Sequence, residues 1–139
     1  MKTNRVRRSS FTLIEVVVVI IILVTLASIA TPIYLNYVKK ANVGAATTQI
    51  KLLEDALTGY KLDVGSYPET LNGLVENVDQ NEKWDGPYIK PAVPKDPWGN
   101  EYVYVCPGEH GDFDLLSYGA DGQPGGSGEN ADITNYVEK

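Results

Sequence analysis

The sequence predicts an α+β chain in which one long N-terminal helix, apolar in its first half and amphipathic in its second, packs on a small antiparallel sheet. Three observations predict it. Leu13 to Ala30 is a run of about 18 residues with a single charge, Glu15, roughly the length at which a helix crosses a bilayer. Val43, Ala46, Ile50, Leu53, Leu57 and Tyr60 then recur at alternating steps of three and four, which is one apolar stripe of a helix. Beyond Asp85, short aromatic and β-branched runs alternate with Gly, Pro and Asn turns, the pattern of strands. At 139 residues there is room for one domain beyond the apolar segment.

Taken together, the apolar run and the stripe predict a helix of about 50 residues. Lys51, Glu54, Asp55 and Lys61 fall off the stripe, on the polar faces. Pro32 lies inside and is expected to kink the helix or break its hydrogen-bond ladder locally, because proline lacks the N–H. Tyr34 and Tyr37 read as markers of a membrane interface. Pro68 suits the first position of a short helix, with Leu71, Leu74 and Val75 turned inward. The Asp96-Pro97-Trp98-Gly99-Asn100 turn leads to a strand over 101–105. Pro107-Gly108 and His110-Gly111 form a second turn, before a strand over 113–117. A further short strand is expected at Tyr88-Ile89-Lys90. The Ile50, Leu53, Leu57 and Tyr60 stripe covers the sheet, and Trp84 and Trp98 cover it or pin turns.

The N-terminus carries the strongest functional signal. Lys2, Arg5, Arg7 and Arg8 precede the apolar run, which predicts the N-terminus in the cytoplasm and the domain outside. Lys39 and Lys40 lie beyond its other end. A secretory signal is cut after its apolar stretch, whereas the polar-to-apolar boundary here comes before it, at Ser10–Phe11. Cleavage there leaves the apolar helix on the mature chain, with a new amine on Phe11. Glu15 costs about 2.5–3.5 kcal/mol at the centre of a bilayer and less near an end. Two readings stand: Glu15 is hydrated near the headgroups, or it meets a positive partner. The freed amine of Phe11 on a neighbouring copy would serve.

Charge and composition exclude several functions. The net charge is −6, and removing the first ten residues leaves 8 basic against 18 acidic. Nucleic-acid binding calls for a basic face; an acidic domain suits solubility or cation binding. Cys106 is the only cysteine, so no intrachain disulfide forms, and it reads as a small buried residue. His110, the only histidine, reads as a turn residue, with no nucleophile and third group arranged around it. The glycine-rich segment lacks the Lys-Ser/Thr ending of a phosphate loop.

That segment, residues 119–132, combines Gly119, Gly122, Gly125, Gly126 and Gly128 with Asp121, Glu129 and Asp132. Ser117, Ser127 and Asn130 add neutral oxygens. Hard oxygens on such a loop suit calcium, which accepts six to eight of them, carbonyls included. The spacing is not that of an EF-hand. On the residues alone, a calcium loop and a solvated acidic loop both stand.

Phe11-Thr12-Leu13-Ile14-Glu15 after a short basic leader resembles the class III signal of type IV pilins and type II secretion pseudopilins. The head resembles the major pseudopilins more closely. The matching residues are Tyr60-Lys61-Leu62-Asp63 with Tyr67-Pro68, then Asp96 to Asn100. They continue as Pro107-Gly108-Glu109-His110-Gly111, Asp114-Leu115-Leu116-Ser117, Gly119-Ala120-Asp121-Gly122 and Ala131-Asp132-Ile133-Thr134-Asn135. Together they run nearly the length of the chain in the family's order.

The resemblance implies a type IV pilin-like fold with a cleavable leader over 1–10, a membrane and assembly segment over 11–32, and a periplasmic head over 33–139. It implies a prepilin peptidase that cuts between Ser10 and Phe11 and N-methylates Phe11. The family carries Gly before the cut, where this chain has Ser10. Glu15 then neutralises the amine of the adjacent subunit, and Pro32 belongs to the assembly helix. One calcium is implied, held by the side chains of Asp121 and Asp132. Many relatives have an acid where this chain has Ala131, and the remaining ligand stays open among Asn130, Ser117 and the Leu116 carbonyl.

The implied function is that of a structural subunit of the type II secretion pseudopilus, anchored in the inner membrane, with the assembled filament in the periplasm. Implied partners are other copies of the chain, minor pseudopilins, the prepilin peptidase and the inner-membrane assembly platform. The alternative is a type IV or competence pilin, although such pilins often carry a cysteine pair. A membrane-anchored module that never assembles gains nothing from Glu15. An enzyme lacks a convergent catalytic set.

Overall fold

Helix α1 spans Leu13–Val64, 52 residues, in the computed structural model of the chain, which describes residues 10–137. Of the leader expected over 1–10, only Ser10 lies among the described residues. The chain divides into two units, one up to Val38 and one from Lys39 onward.

In the first unit α1 is exposed on every side, and the helix is long and apolar enough to cross a membrane. A helix suits lipid because it satisfies its own backbone, and the hydroxyls here do likewise. Thr25 Oγ1 donates to the Ile21 carbonyl at 2.8 Å, Ser28 Oγ to that of Thr25 at 2.7 Å, and Thr31 Oγ1 to that of Ala27 at 2.7 Å. The helix runs through Pro32 without interruption. Proline has no N–H, so the ladder lacks one bond there, as expected, while the turns on either side stay helical.

In the second unit the predicted stripe is the core. Ala46, Ile50, Leu53, Leu57 and Tyr60 are the buried residues of α1. The last four cluster with Leu71, Leu74, Tyr102, Phe113 and Leu115. Each fully buried leucine contributes about 1.5–3 kcal/mol of transfer free energy. The sheet consists of β1 (Val103–Val105), β2 (Asp114–Ser117) and β3 (Ile133–Thr134) in the order β1-β2-β3. Both pairings are antiparallel, with Val103 opposite Leu116 and Leu116 opposite Thr134. Every residue of β2 is buried, so the central strand fixes everything beside it. Tyr104 ties β1 to the segment after α1 by donating to the Pro68 carbonyl at 2.9 Å.

Three expectations need correction, and one strand is additional. Tyr88-Ile89-Lys90 is not a strand: the N–H groups of Tyr88 and Ile89 donate to the Leu74 carbonyl at 2.8 and 3.2 Å, so they serve a turn. The short helix is a 3-10 turn over Leu71–Leu74. Pro68 is buried before it, and Val75 is its half-buried cap. Cys106 is half-buried rather than buried, in the bend that follows the edge strand β1. Strand β3 was not anticipated. Trp84 does pin a turn, donating its indole N–H to the Gly73 carbonyl at 2.9 Å.

Candidate functional site

The N-terminal site is built on the first turn of α1. Thr12 precedes the helix and Glu15 is its third residue. The Thr12 N–H and hydroxyl both donate to Glu15 Oε2, at 2.9 and 3.0 Å, and the Glu15 N–H donates to Thr12 Oγ1 at 3.3 Å. This is a reciprocal capping box, which satisfies N–H groups that a helix start leaves open. Sequence reasoning passed over Thr12, although Thr-x-x-Glu before an apolar run is the signature of that box. Ser10 and Phe11 stand exposed ahead of the helix. Glu15 is the only charged residue between Arg8 and Lys39.

The second site lies at the end of β2. Ser117 is fully buried, and its hydroxyl donates to Asp96 Oδ2 at 2.6 Å while accepting from the Gly119 N–H at 3.2 Å. Asp96, also buried, accepts from the N–H groups of Trp98 and Asn100 at 3.1 and 2.8 Å. Asn100 Nδ2 donates to the Gly119 carbonyl at 3.3 Å. Burial, with the nearby Asp96 charge, pushes the Tyr102 phenol up to about 12, so Tyr102 acts as a neutral donor, here to Gln49 Oε1.

Two 3-10 turns, Gly119–Asp121 and Gly128–Asn130, give the expected loop its shape. Gly119 has φ +69, and a Cβ there would lie 2.6 Å from the Glu129 carbonyl oxygen and 2.9 Å from that of Ala131. Only glycine permits both that backbone conformation and that approach. Asp121 Oδ1 accepts from the Gln123 N–H at 3.1 Å, and both oxygens of Asp132 accept from the Gly125 N–H at 3.0 Å. Asn135 anchors the far end: its N–H donates to the Leu115 carbonyl at 3.0 Å and its Oδ1 accepts from the Leu115 N–H at 2.8 Å. Glu129 pairs with Lys39 at 3.1 Å.

Of the expected ligands, Asp121 is exposed, Asp132 and Asn130 are half-buried, and Leu116 and Ser117 are buried within β2. Among the described residues no three Asp, Glu, His or Cys side chains converge, and neither Asp121 nor Asp132 pairs with a lysine or arginine. The residues that would hold an ion are thus two carboxylates, Asp121 and Asp132, with neutral oxygens beside them. That chemistry fits a hard cation that accepts carbonyls, such as calcium. Ser117, however, is fully buried, and its hydroxyl is already engaged by Asp96 and by the Gly119 N–H.

His110 has a structural environment. Its ring stacks on Tyr136, with centroids 3.8 Å apart and planes at 5°, and Nδ1 lies 2.9 Å from Asp114 Oδ2. Burial pushes the Asp114 carboxyl up. Hydrogen bonds from the His110 ring and from the N–H groups of Glu109 and His110 outweigh it, leaving the carboxyl below its ordinary range.

Comparison with known proteins agrees with this architecture. Residues 33–136 match the family described as "Type II secretion system (T2SS), protein G", and residues 5–31 match the prokaryotic N-terminal methylation motif. The chain is 46% identical to the type II secretion system core protein G of Vibrio cholerae, covering 94% of this chain and 92% of that one. It is 45% identical to that of Pseudomonas aeruginosa, covering 96% and 98%. The crystal structure of the major pseudopilin from the type 2 secretion system of enterohaemorrhagic Escherichia coli matches with TM-score 0.56 at 36% identity, over 69% of this chain and 87% of that one. The chain belongs to the protein G family of the type II secretion system, and its fold is that of a major pseudopilin.

Proposed function

We propose that this chain is the structural, non-catalytic subunit of a type II secretion pseudopilus, polymerising through α1 into a periplasmic filament that drives export of folded proteins. One observation carries the reading: an otherwise uncharged helix half holds a single carboxylate, Glu15, one turn from the exposed Ser10–Phe11 bond. A buried charge without a partner is costly and a paired one tolerable. Cleavage before Phe11 by a prepilin peptidase supplies an amine, N-methylated in the mature chain, and Glu15 of the next subunit neutralises it. Contacts of this head-to-tail kind build an open filament.

Before assembly the subunit is a single-pass inner-membrane protein, N-terminus cytoplasmic and head periplasmic, as the leader's charges favour. Its partners are other copies, minor pseudopilins and the inner-membrane assembly platform. Asp121 and Asp132 hold calcium, with Asn130 and loop carbonyls as the neutral oxygens. The bound ion cancels the repulsion of two carboxylates and adds its binding free energy to the folded state.

The test is Glu15→Ala, with Glu15→Val beside it. Membrane insertion should stay intact while filament formation and secretion are lost; normal filaments in both variants would sink the reading.

A further inference from the structure

The turn at 96–100 is more than a link between segments. Asp96 is 4% exposed, and a carboxylate taken out of water is costly unless hydrogen bonds replace its hydration. Three donors do so here. Two come from its own turn, the N–H groups of Trp98 and Asn100. The third comes from Ser117, 21 residues away on β2. At 2.6 Å, that contact lies in the range of a strong charge-assisted O–H···O⁻ bond.

This bond orients the Ser117 hydroxyl. With its proton on Asp96, the oxygen presents a lone pair to the Gly119 N–H. The Gly119 carbonyl is held from the other side by Asn100 Nδ2, and the backbone of Asn100 is itself bonded to Asp96. Both polar groups of Gly119 thus lead back to one carboxylate. Gly119 is the residue whose left-handed conformation and contact with the 129 and 131 carbonyls set the loop, and Asp121 follows two residues later.

We propose that Asp96 is the positioning residue of the calcium loop, acting through Ser117 and Asn100 on Gly119 to place Asp121 before the ion arrives. The proposal rests on the calcium reading above. It also moves Ser117 from the ligand set to the layer behind it. Partners in that layer typically govern metal affinity by about 10–100-fold.

The test measures calcium binding to the full chain in detergent by titration calorimetry, with loop exchange in EDTA as a metal-free readout. Asp96→Asn keeps the size and the two turn contacts but removes the acceptor for Ser117. It should weaken calcium binding about 10–100-fold and speed exchange of the Gly119 amide in EDTA. Ser117→Ala should do the same, the double variant should be no weaker than the weaker single one, and Ser117→Thr should restore binding. Asn100→Ala, at a half-buried position, should weaken binding without threatening the core. Wild-type affinity in Asp96→Asn, or effects of Asp96→Asn and Ser117→Ala that simply add, overturns the proposal alone. A wild-type chain with no calcium response overturns the calcium reading and this proposal with it.

Discussion

Thr12 and Glu15 hold each other across the first turn of α1, the Glu15 carboxylate accepting twice from Thr12 while the Thr12 hydroxyl accepts from the Glu15 N–H. The carboxylate therefore has a local role in its own chain besides the one proposed toward a neighbour. Substitution by alanine removes both at once. Glutamine can still close a capping box but carries no charge, so it separates the two.

The capping role makes its own prediction. Thr12→Val abolishes the hydroxyl contacts and should cost the helix start about 1 kcal/mol. Amide exchange at residues 13–15, in micelles, should accelerate several-fold, with no change beyond the second turn. Unaltered exchange would show that the cap contributes nothing in the membrane.

Ser10 should limit processing. The family places glycine before the cut, and Ser10→Gly should raise the fraction of chain cleaved before Phe11. Intact-mass measurement of the membrane form reads this directly, as does the added methyl group. Equal processing in both chains would remove Ser10 as a determinant.

The loop predicts a specific thermal signature. Calcium should raise the melting temperature of the wild-type chain, and Asp121→Ala should abolish that rise. Gly119→Ala should do the same, and should lower the metal-free value too, because φ +69 and the 2.6 Å approach to the Glu129 carbonyl both refuse a Cβ. A full calcium response in Asp121→Ala would contradict the ligand assignment.

Asp114 sets part of the acid sensitivity. Its folded-state carboxyl lies below the ordinary range because donors from Glu109 and His110 outweigh its burial. A depressed carboxyl contributes stability that is present above its unfolded value, about 3.9, and lost as pH falls through the lower folded one. His110→Phe keeps a ring on Tyr136 and removes the Nδ1 bond. It should lower the melting temperature at neutral pH and make the decline between roughly pH 5 and pH 2 shallower. Thermal unfolding across that span checks both; superimposable curves would refute it.

Much of the fold was legible because it rests on periodicity. The stripe from Ala46 to Tyr60 is the buried face of α1, and the two longer strands lie inside their expected runs. What was missed depends on partners distant in sequence. Strand β3 is two residues long, and its place is set by Asn135 bonding to Leu115, 20 positions earlier. Tyr88-Ile89 has strand composition, yet the Leu74 carbonyl claims both N–H groups. Ser117 reads as a loop oxygen by proximity, while the acceptor that occupies it, Asp96, is invisible without the fold. The Thr12–Glu15 box, by contrast, is local and legible in the sequence as Thr-x-x-Glu before an apolar run.

Glu15→Gln is the most direct test of assembly through this charge. With the cap preserved and the carboxylate gone, the chain should insert in the membrane, be cleaved before Phe11 and fail to form filaments by electron microscopy. Filaments at wild-type abundance would mean that Glu15 serves its own helix alone, and would contradict the pairing with a neighbouring amine.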